Sequence, residues 1–403
     1  LSQDNIKITG VDMENFKYLI IGGGMTAVAA MRGIREIDQQ GSIGLVGQET
    51  DLPYKRPPLS KGLWKGKQLD SIWCKIEDLQ AELHLGRKIV SLDPDTLIIQ
   101  DDRGTTYKGD KIMLATGGTP RHLPFGGDQI IYYRTLPDYK RLAELSQRNL
   151  TFAVVGGGFI GSEITAALAM NGRQVTMLFP EGGIGSAIYP HDLSLFLNDY
   201  FAKKGVTVWP GELLSAAETV GGKVGLKTKS GRELVVDAVV AGIGIQPNVD
   251  LAKSAGLQTG NGIIVDLTLA TSTPGIFAAG DAAEFFNPAL NKRMRVEHED
   301  NANSMGHQAG RNMAGASELY DHLSYFYSDL FELGYEAVGE LDPRQETFVD
   351  WKEPFNKGVV YYLAGGRVRG VLLWNVWDTV PAARDLIAEP GPFKAADLKN
   401  RLA

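Results

Sequence analysis

The distribution of apolar positions repeats one local plan twice. Tyr18-Leu19-Ile20-Ile21 is a continuous apolar run that meets Gly22-Gly23-Gly24 and then a helix-like stretch, Met25–Glu36. Phe152-Ala153-Val154-Val155 meets Gly156-Gly157-Gly158 and a second such stretch, ending near Met170. Each copy reads as strand, tight glycine turn, helix. Further strands are predicted at Ile43–Val46, Lys111–Leu114, Val175–Phe179 and Gly275–Ala278. Val239–Pro247 closes the second unit, and a helix follows from about His298 to Ala314. Asp101-Asp102-Arg103-Gly104 predicts a hairpin turn. Pro57-Pro58 resists helix and strand alike, so Leu52–Lys61 reads as an ordered loop, with a helix starting near Ser60. From about Tyr320 the pattern alternates. The runs Gly358–Leu363 and Val368–Trp374 around Gly365-Gly366 predict an antiparallel sheet.

The expected fold is α/β: two tandem Rossmann-like dinucleotide-binding domains and a C-terminal α+β domain. The expected ranges are 16–133 with 248–319, then 134–247, then 320–403. A chain of 403 residues exceeds the roughly 250–300 that one core serves, in keeping with several domains. The net charge of −7 disfavours nucleic-acid binding. No apolar run approaches the ~20 residues that span a bilayer. Residues 1–15 carry Asp4, Asp12 and Glu14 and no apolar stretch, unlike a secretory signal; with Leu1 first and Met13 further in, they are either native or added. Cys74 is the single cysteine, which excludes an internal disulfide and argues for a reducing, cytoplasmic setting. The six histidines are scattered without ligand spacing, so no metal is expected.

The glycine loops carry the chemistry. A helix N-terminus presents unpaired N–H groups and about half a positive charge, and glycine lets a pyrophosphate approach. Two such loops imply two dinucleotides on one chain, and two nearby dinucleotides imply electron transfer between them. After Ile43–Val46, Glu49 or Gln48 is placed to grip an adenosine ribose. After Val175–Phe179 comes Pro180-Glu181, with no Arg or Lys between Gln174 and Pro190. An acid there accepts from a free 2′-hydroxyl and repels a 2′-phosphate, which predicts NADH over NADPH. Glu163 lies one turn into the second helix, where Lys61 from the proline loop could pair with it, although the sequence alone favours two unrelated surface charges. Ala279-Gly280-Asp281 ends a strand, and its Asp could accept from a ribityl hydroxyl. His298 stands at a helix head, where it is either part of a flavin site or an ordinary cap or core histidine.

Together these residues resemble the two-dinucleotide flavoprotein superfamily related to glutathione reductase, nearest to its apoptosis-inducing-factor and oxygenase-coupled ferredoxin-reductase branches. Leu52–Lys61 is similar to the signature Leu-Pro-Tyr-x-Arg-Pro-Pro-Leu-Ser-Lys, and Ala115–Arg121, Val154–Glu163, Gly244–Asn248, Gly275–Ala282 and Val296–His298 follow in order. The resemblance implies FAD on the first unit and NAD on the second. It implies FAD contacts from Gly22, Gly23, Gly24, Met25, Thr26, Ala27, Gln48, Glu49, Arg56, Lys61, Val90, Ala115, Thr116, Gly117, Arg134, Gly280, Asp281, His298 and Glu299. It implies NAD contacts from Gly157, Gly158, Phe159, Ile160, Glu163, Glu181, Gly244 and Glu297, with Phe159 over the flavin and Lys61–Glu163 as a catalytic pair. Tyr327 stands where apoptosis-inducing factor has a Trp beside the flavin. Asp51–Lys61 lacks the cysteine pair of the disulfide reductases, so thiol chemistry is excluded.

Two functions follow. The first is an FAD-dependent NADH oxidoreductase that passes electrons to an iron–sulfur carrier, a rubredoxin or a quinone, with Lys292, Arg293 and Arg295 either a docking patch or a solvated loop. The second is an NADH redox sensor with slow turnover and redox-linked oligomerisation, for which a homodimer stays open.

Overall fold

The computed structural model describes residues 13–148 and 151–402; residues 1–12, with Asp4 and Asp12, lie outside the described residues. The first sheet is built around Met13–Ile21, flanked in parallel by Ile43–Gly47 and Thr106–Leu114, with Ala81–Leu85 beyond. The strand Ile276–Ala278 returns from late in the chain and pairs in parallel with Thr106–Leu114. Their register aligns Ile21 with Val46 and with Leu114, and Leu114 with Ala278. The strands therefore end at one edge, and the loops that follow them open side by side. An antiparallel extension, Ile89–Asp93 and Ile98–Asp101, completes this sheet, with Gly104 (φ +87°) in the turn before Thr106.

The second sheet is also parallel: Thr207–Pro210, Gln174–Phe179, Thr151–Val155, Ala238–Ala241 and Ile130–Tyr132, in that order. An antiparallel meander, Leu214–Val220, Lys223–Thr228 and Glu233–Val236, adjoins it. Val239–Pro247 is two strands, not one. The second, Ile245–Pro247, pairs with Gly118–Pro120 from the first unit. Asn248 clasps this crossing: its carbonyl accepts from Thr116 Oγ1 at 2.7 Å, and its Nδ2 donates to the Thr116 carbonyl at 2.8 Å.

The C-terminal sheet is antiparallel and five-stranded, in the order Tyr325–Leu330, Leu333–Gly339, Arg367–Trp374, Lys357–Ala364, Glu346–Glu353. Gly365 and Gly366, both at positive φ, make the predicted turn. One face of this sheet buries Tyr335, Trp374 and Tyr362 against Phe179, Phe201 and Tyr189 of the second unit. Phe196 stacks on Phe355 with ring centres 4.8 Å apart, and Phe201 meets Phe331 edge-on at 5.0 Å. Each aromatic pair is worth about 0.5–1.5 kcal/mol beyond its buried area.

The helix expected near Ser60 does not form. The chain makes short 3-10 turns at Pro57–Leu59 and Gly62–Lys65, because Gly62 weakens the helix and Gly66 (φ +85°) ends it. The helices Met25–Ile37 and Glu299–Met313 cross in near backbone contact. A Cβ on Gly306 would lie 2.4 Å from the Thr26 carbonyl oxygen, and one on Gly310 2.0 Å from that of Ala30. Glycine is required here by proximity, and the crossing fixes the start of Met25–Ile37, just after the first glycine loop, against the middle of Glu299–Met313.

Candidate active site

The ends of both parallel sheets line one cleft of about 1210 Å³. Gly22 turns at φ +121°, and a Cβ there would stand 2.1 Å from the Ala115 carbonyl oxygen. Gly156 repeats this at φ +116°, 2.4 Å from the Gly242 carbonyl oxygen. Gly24 and Gly158 are the N-caps of Met25–Ile37 and Phe159–Met170, and neither helix has a side-chain cap or an acid in its first turn. Unpaired helix amides beside a cleft suit a pyrophosphate. The residues thus fit two dinucleotides, one at each loop.

Polar side chains flank the first loop. Glu49 accepts from the Tyr54 hydroxyl at 2.5 Å and pairs with Arg56, while Gln48 lines the cleft beside it. Arg56 also donates to the Arg134 carbonyl at 3.1 Å, and Arg134 pairs with Asp281 at 2.7 Å. Ala115, Thr116, Gly117, Gly244 and Glu297 also line the cleft.

Where the two halves meet, Lys61 Nζ lies 2.7 Å from Glu163 Oε1. Glu163 is 3% exposed and accepts two further bonds, from Ser60 Oγ onto Oε2 and from Ser328 Oγ onto Oε1, each 2.6 Å. A buried carboxylate survives when closely paired and fully hydrogen-bonded. The reading of Lys61 and Glu163 as unrelated surface charges is therefore replaced by a buried pair.

His298 is the N-cap of Glu299–Met313 and makes no capping bond through its side chain. Its ring stacks on Phe326 at 4.1 Å and meets Phe159 edge-on at 6.1 Å. Enclosure by these groups lowers its pKa to about 4, outweighing the opposing pull of Asp281 and Asp300. The ring is neutral at physiological pH. Phe159 keeps 37% of its surface exposed at the cleft. Tyr327 donates to Glu299 at 3.2 Å and lies 5.2 Å from Lys61 Nζ; burial, reinforced by Glu299, pushes its phenol pKa up.

Gly23, Met25, Thr26 and Ile160 also line the cleft; Ala27, Val90, Gly157, Gly280 and Glu181 do not. Ala27 is buried, and Gly157 and Gly280 support the loops from behind, against Phe179 and Thr26. Val90 is 52% exposed on the antiparallel extension, and Glu181 is exposed beyond Gln174–Phe179. The cations considered for docking are engaged. Lys292 pairs with Glu340, Arg293 donates to the Val265 and Glu284 carbonyls, and Arg295 turns inward to Glu297 at 2.6 Å. Sequence reasoning missed Ser60, Phe326 and Ser328 as site residues. Ser60 stood in the proline-loop signature, whereas nothing local marked Ser328. Among the described residues, Glu14, Glu82 and His84 form a cluster away from the cleft, with His84 Nε2 3.0 Å from Glu14.

Residues 16–306 match the family described as pyridine nucleotide-disulphide oxidoreductase, and 309–351 and 344–389 match the C-terminal region of mitochondrion-associated apoptosis-inducing factor. The chain is 33% identical to apoptosis-inducing factor 1, mitochondrial, of Dictyostelium discoideum, over 93% of this chain and 79% of that one. It is 31% identical to the ferredoxin–NAD(+) reductase component of the anthranilate 1,2-dioxygenase system of Burkholderia cepacia, over 94% and 97%. Its fold is similar to a chain of the covalent putidaredoxin reductase–putidaredoxin complex, with TM-score 0.89 and 28% identity over 95% of each chain.

Proposed function

The chain belongs to the pyridine nucleotide-disulphide oxidoreductase family, and from that premise we propose a ferredoxin-reductase-like flavoprotein that takes electrons from NADH and delivers them to a ferredoxin-type carrier. Family membership implies FAD and NAD(P)H. When bound, FAD supplies two-electron uptake from a nicotinamide and onward release of electrons. One observation carries the reading: two uncapped, glycine-led helix ends converge on the Lys61–Glu163 pair in a single cleft.

The first loop, with Gln48, Glu49, Arg56, Arg134, Asp281 and the His298–Glu299 helix head, would hold FAD. The second, with Phe159, Glu163, Gly244 and Glu297, would hold the nicotinamide coenzyme. Lys61 places a fixed positive charge at the junction, where it stabilises negative charge as it develops. Glu163 orients that ammonium. The helix Glu299–Met313 turns its positive end to the cleft, and neutral His298 adds no charge of its own. Phe159 screens the junction from water. The ranges 16–133 with 248–319, 134–247 and 320–403 would serve as FAD, NAD and C-terminal domains, with the strand Ile130–Tyr132 moved to the NAD unit whose sheet it joins.

Glu181 favours NADH over NADPH, since an exposed acid repels a 2′-phosphate. With Cys74 alone, no dithiol relays electrons. The names of the reductase relatives favour a ferredoxin-type acceptor over a rubredoxin or a quinone. The single cysteine favours a cytoplasmic setting; among the described residues no helix is long and apolar enough to cross a membrane. The test is anaerobic mixing of the yellow holoprotein with NADH, then with a ferredoxin. Bleaching followed by rapid reoxidation is expected. A colourless protein that cannot be reconstituted with FAD overturns the reading. A charge-transfer band lasting minutes without carrier turnover favours a redox sensor.

A further inference from the structure

We infer that Ser328 is a positioning residue for the Lys61–Glu163 pair, through which the C-terminal sheet sets the geometry of the hydride-transfer site; this rests on the flavoprotein-reductase reading. Ser328 sits in the strand Tyr325–Leu330 and is 1% exposed. Its hydroxyl donates to Glu163 Oε1 at 2.6 Å, the same oxygen that meets Lys61 Nζ at 2.7 Å. Ser60 holds the other oxygen at 2.6 Å. One carboxylate thus joins the proline loop, the second glycine-loop helix and the C-terminal sheet. Ser328 is the sheet's contribution to it.

The two donors on Oε1 fix the plane of the carboxylate. The last torsion of a glutamate is broad, so without Ser328 the carboxylate is held by Ser60 and the mobile Lys61 ammonium alone and turns more widely about its Cγ–Cδ bond. Lys61 would turn with it. An O–H···O⁻ bond of this length belongs to the strong, charge-assisted class. The strand itself is anchored. Ser328 lies opposite Tyr335, which packs edge-on to Tyr189 at 5.6 Å and stacks on Trp374 at 5.7 Å. The next residue, Asp329, pairs with Lys65 at 2.7 Å. The hydroxyl therefore acts from a fixed frame and cannot follow a displaced carboxylate. A group of this kind controls the alignment of reacting partners more than the affinity for either.

The test is anaerobic stopped-flow reduction of the FAD-loaded protein by NADH. Ser328→Ala is expected to slow the limiting rate of flavin bleaching about tenfold (~1.4 kcal/mol) while changing the apparent Kd for NADH by less than about twofold. Introduced into Glu163→Met, which keeps side-chain length and removes the acceptor, Ser328→Ala is expected to cause no further slowing. If Ser328→Ala does not retain FAD, Ser328→Cys replaces it. That variant keeps the volume, offers only a weak donor, and carries the same expectation. An unchanged rate when Ser328→Ala is the only substitution overturns the inference. So does equal slowing in both backgrounds, or a loss expressed mainly in NADH affinity. Wild-type protein that NADH never bleaches refutes the reductase reading instead.

Discussion

Replacing His298 by Phe removes a titrating ring while keeping an aromatic partner for Phe326. In the folded protein the ring's pKa falls from 6.5 to about 4, chiefly through burial. The unfolded chain therefore takes up this proton first as the pH drops. The stability tied to a neutral His298 is complete above about pH 6.5 and is lost progressively as the pH falls to about 4, below which both states are charged. Between pH 7 and pH 5 the linkage removes at most about 2 kcal/mol. Urea unfolding of wild type and His298→Phe at several pH values isolates the effect, because all other titrations cancel in the difference. The wild type should lose stability faster than the variant as the pH falls through this window. Histidine NMR gives a direct check: the one resonance missing from the variant should stay neutral down to about pH 5. Parallel stability curves, or a His298 resonance titrating near its ordinary value, would refute the claim that the cleft holds this ring uncharged.

Two further outcomes follow from steric and electrostatic facts. Gly310→Ala places a methyl 2.0 Å from the Ala30 carbonyl oxygen, so it should destabilise the protein by about 3 kcal/mol and lower its flavin content; a melting temperature equal to wild type would contradict this. Glu181→Arg should reduce the preference for NADH over NADPH, as the ratio of kcat/KM values, by at least about tenfold, and an unchanged ratio would remove Glu181 from coenzyme selection.

Much of the site was legible because its constraints are local. Gly22 and Gly156 must reach positive φ and approach a neighbouring carbonyl, and that demand shows in the residue type and its place after an apolar run. The two-residue glycine turn at Gly365-Gly366 was legible for the same reason. Ser60 misled because a serine after two prolines resembles a helix start, whereas Gly62 and Gly66 just beyond it decide the outcome. Tertiary partners were beyond reach. The Lys61–Glu163 pair was visible only as two residue types, and one of its hydrogen bonds comes from Ser328, which arrives from the C-terminal sheet. Arg295, read as part of a basic loop, turns inward because Glu297 and the Asp281 carbonyl receive it.

The near-contact of Met25–Ile37 with Glu299–Met313 has a bearing on biosynthesis. The earliest glycine loop emerges from the ribosome long before the helix that braces it, so a nascent chain carries an incomplete cofactor cradle through most of its translation. FAD uptake is then expected only after Gly306 and Gly310 have cleared the exit tunnel, and ribosome-bound fragments stalled upstream of them should remain unpigmented.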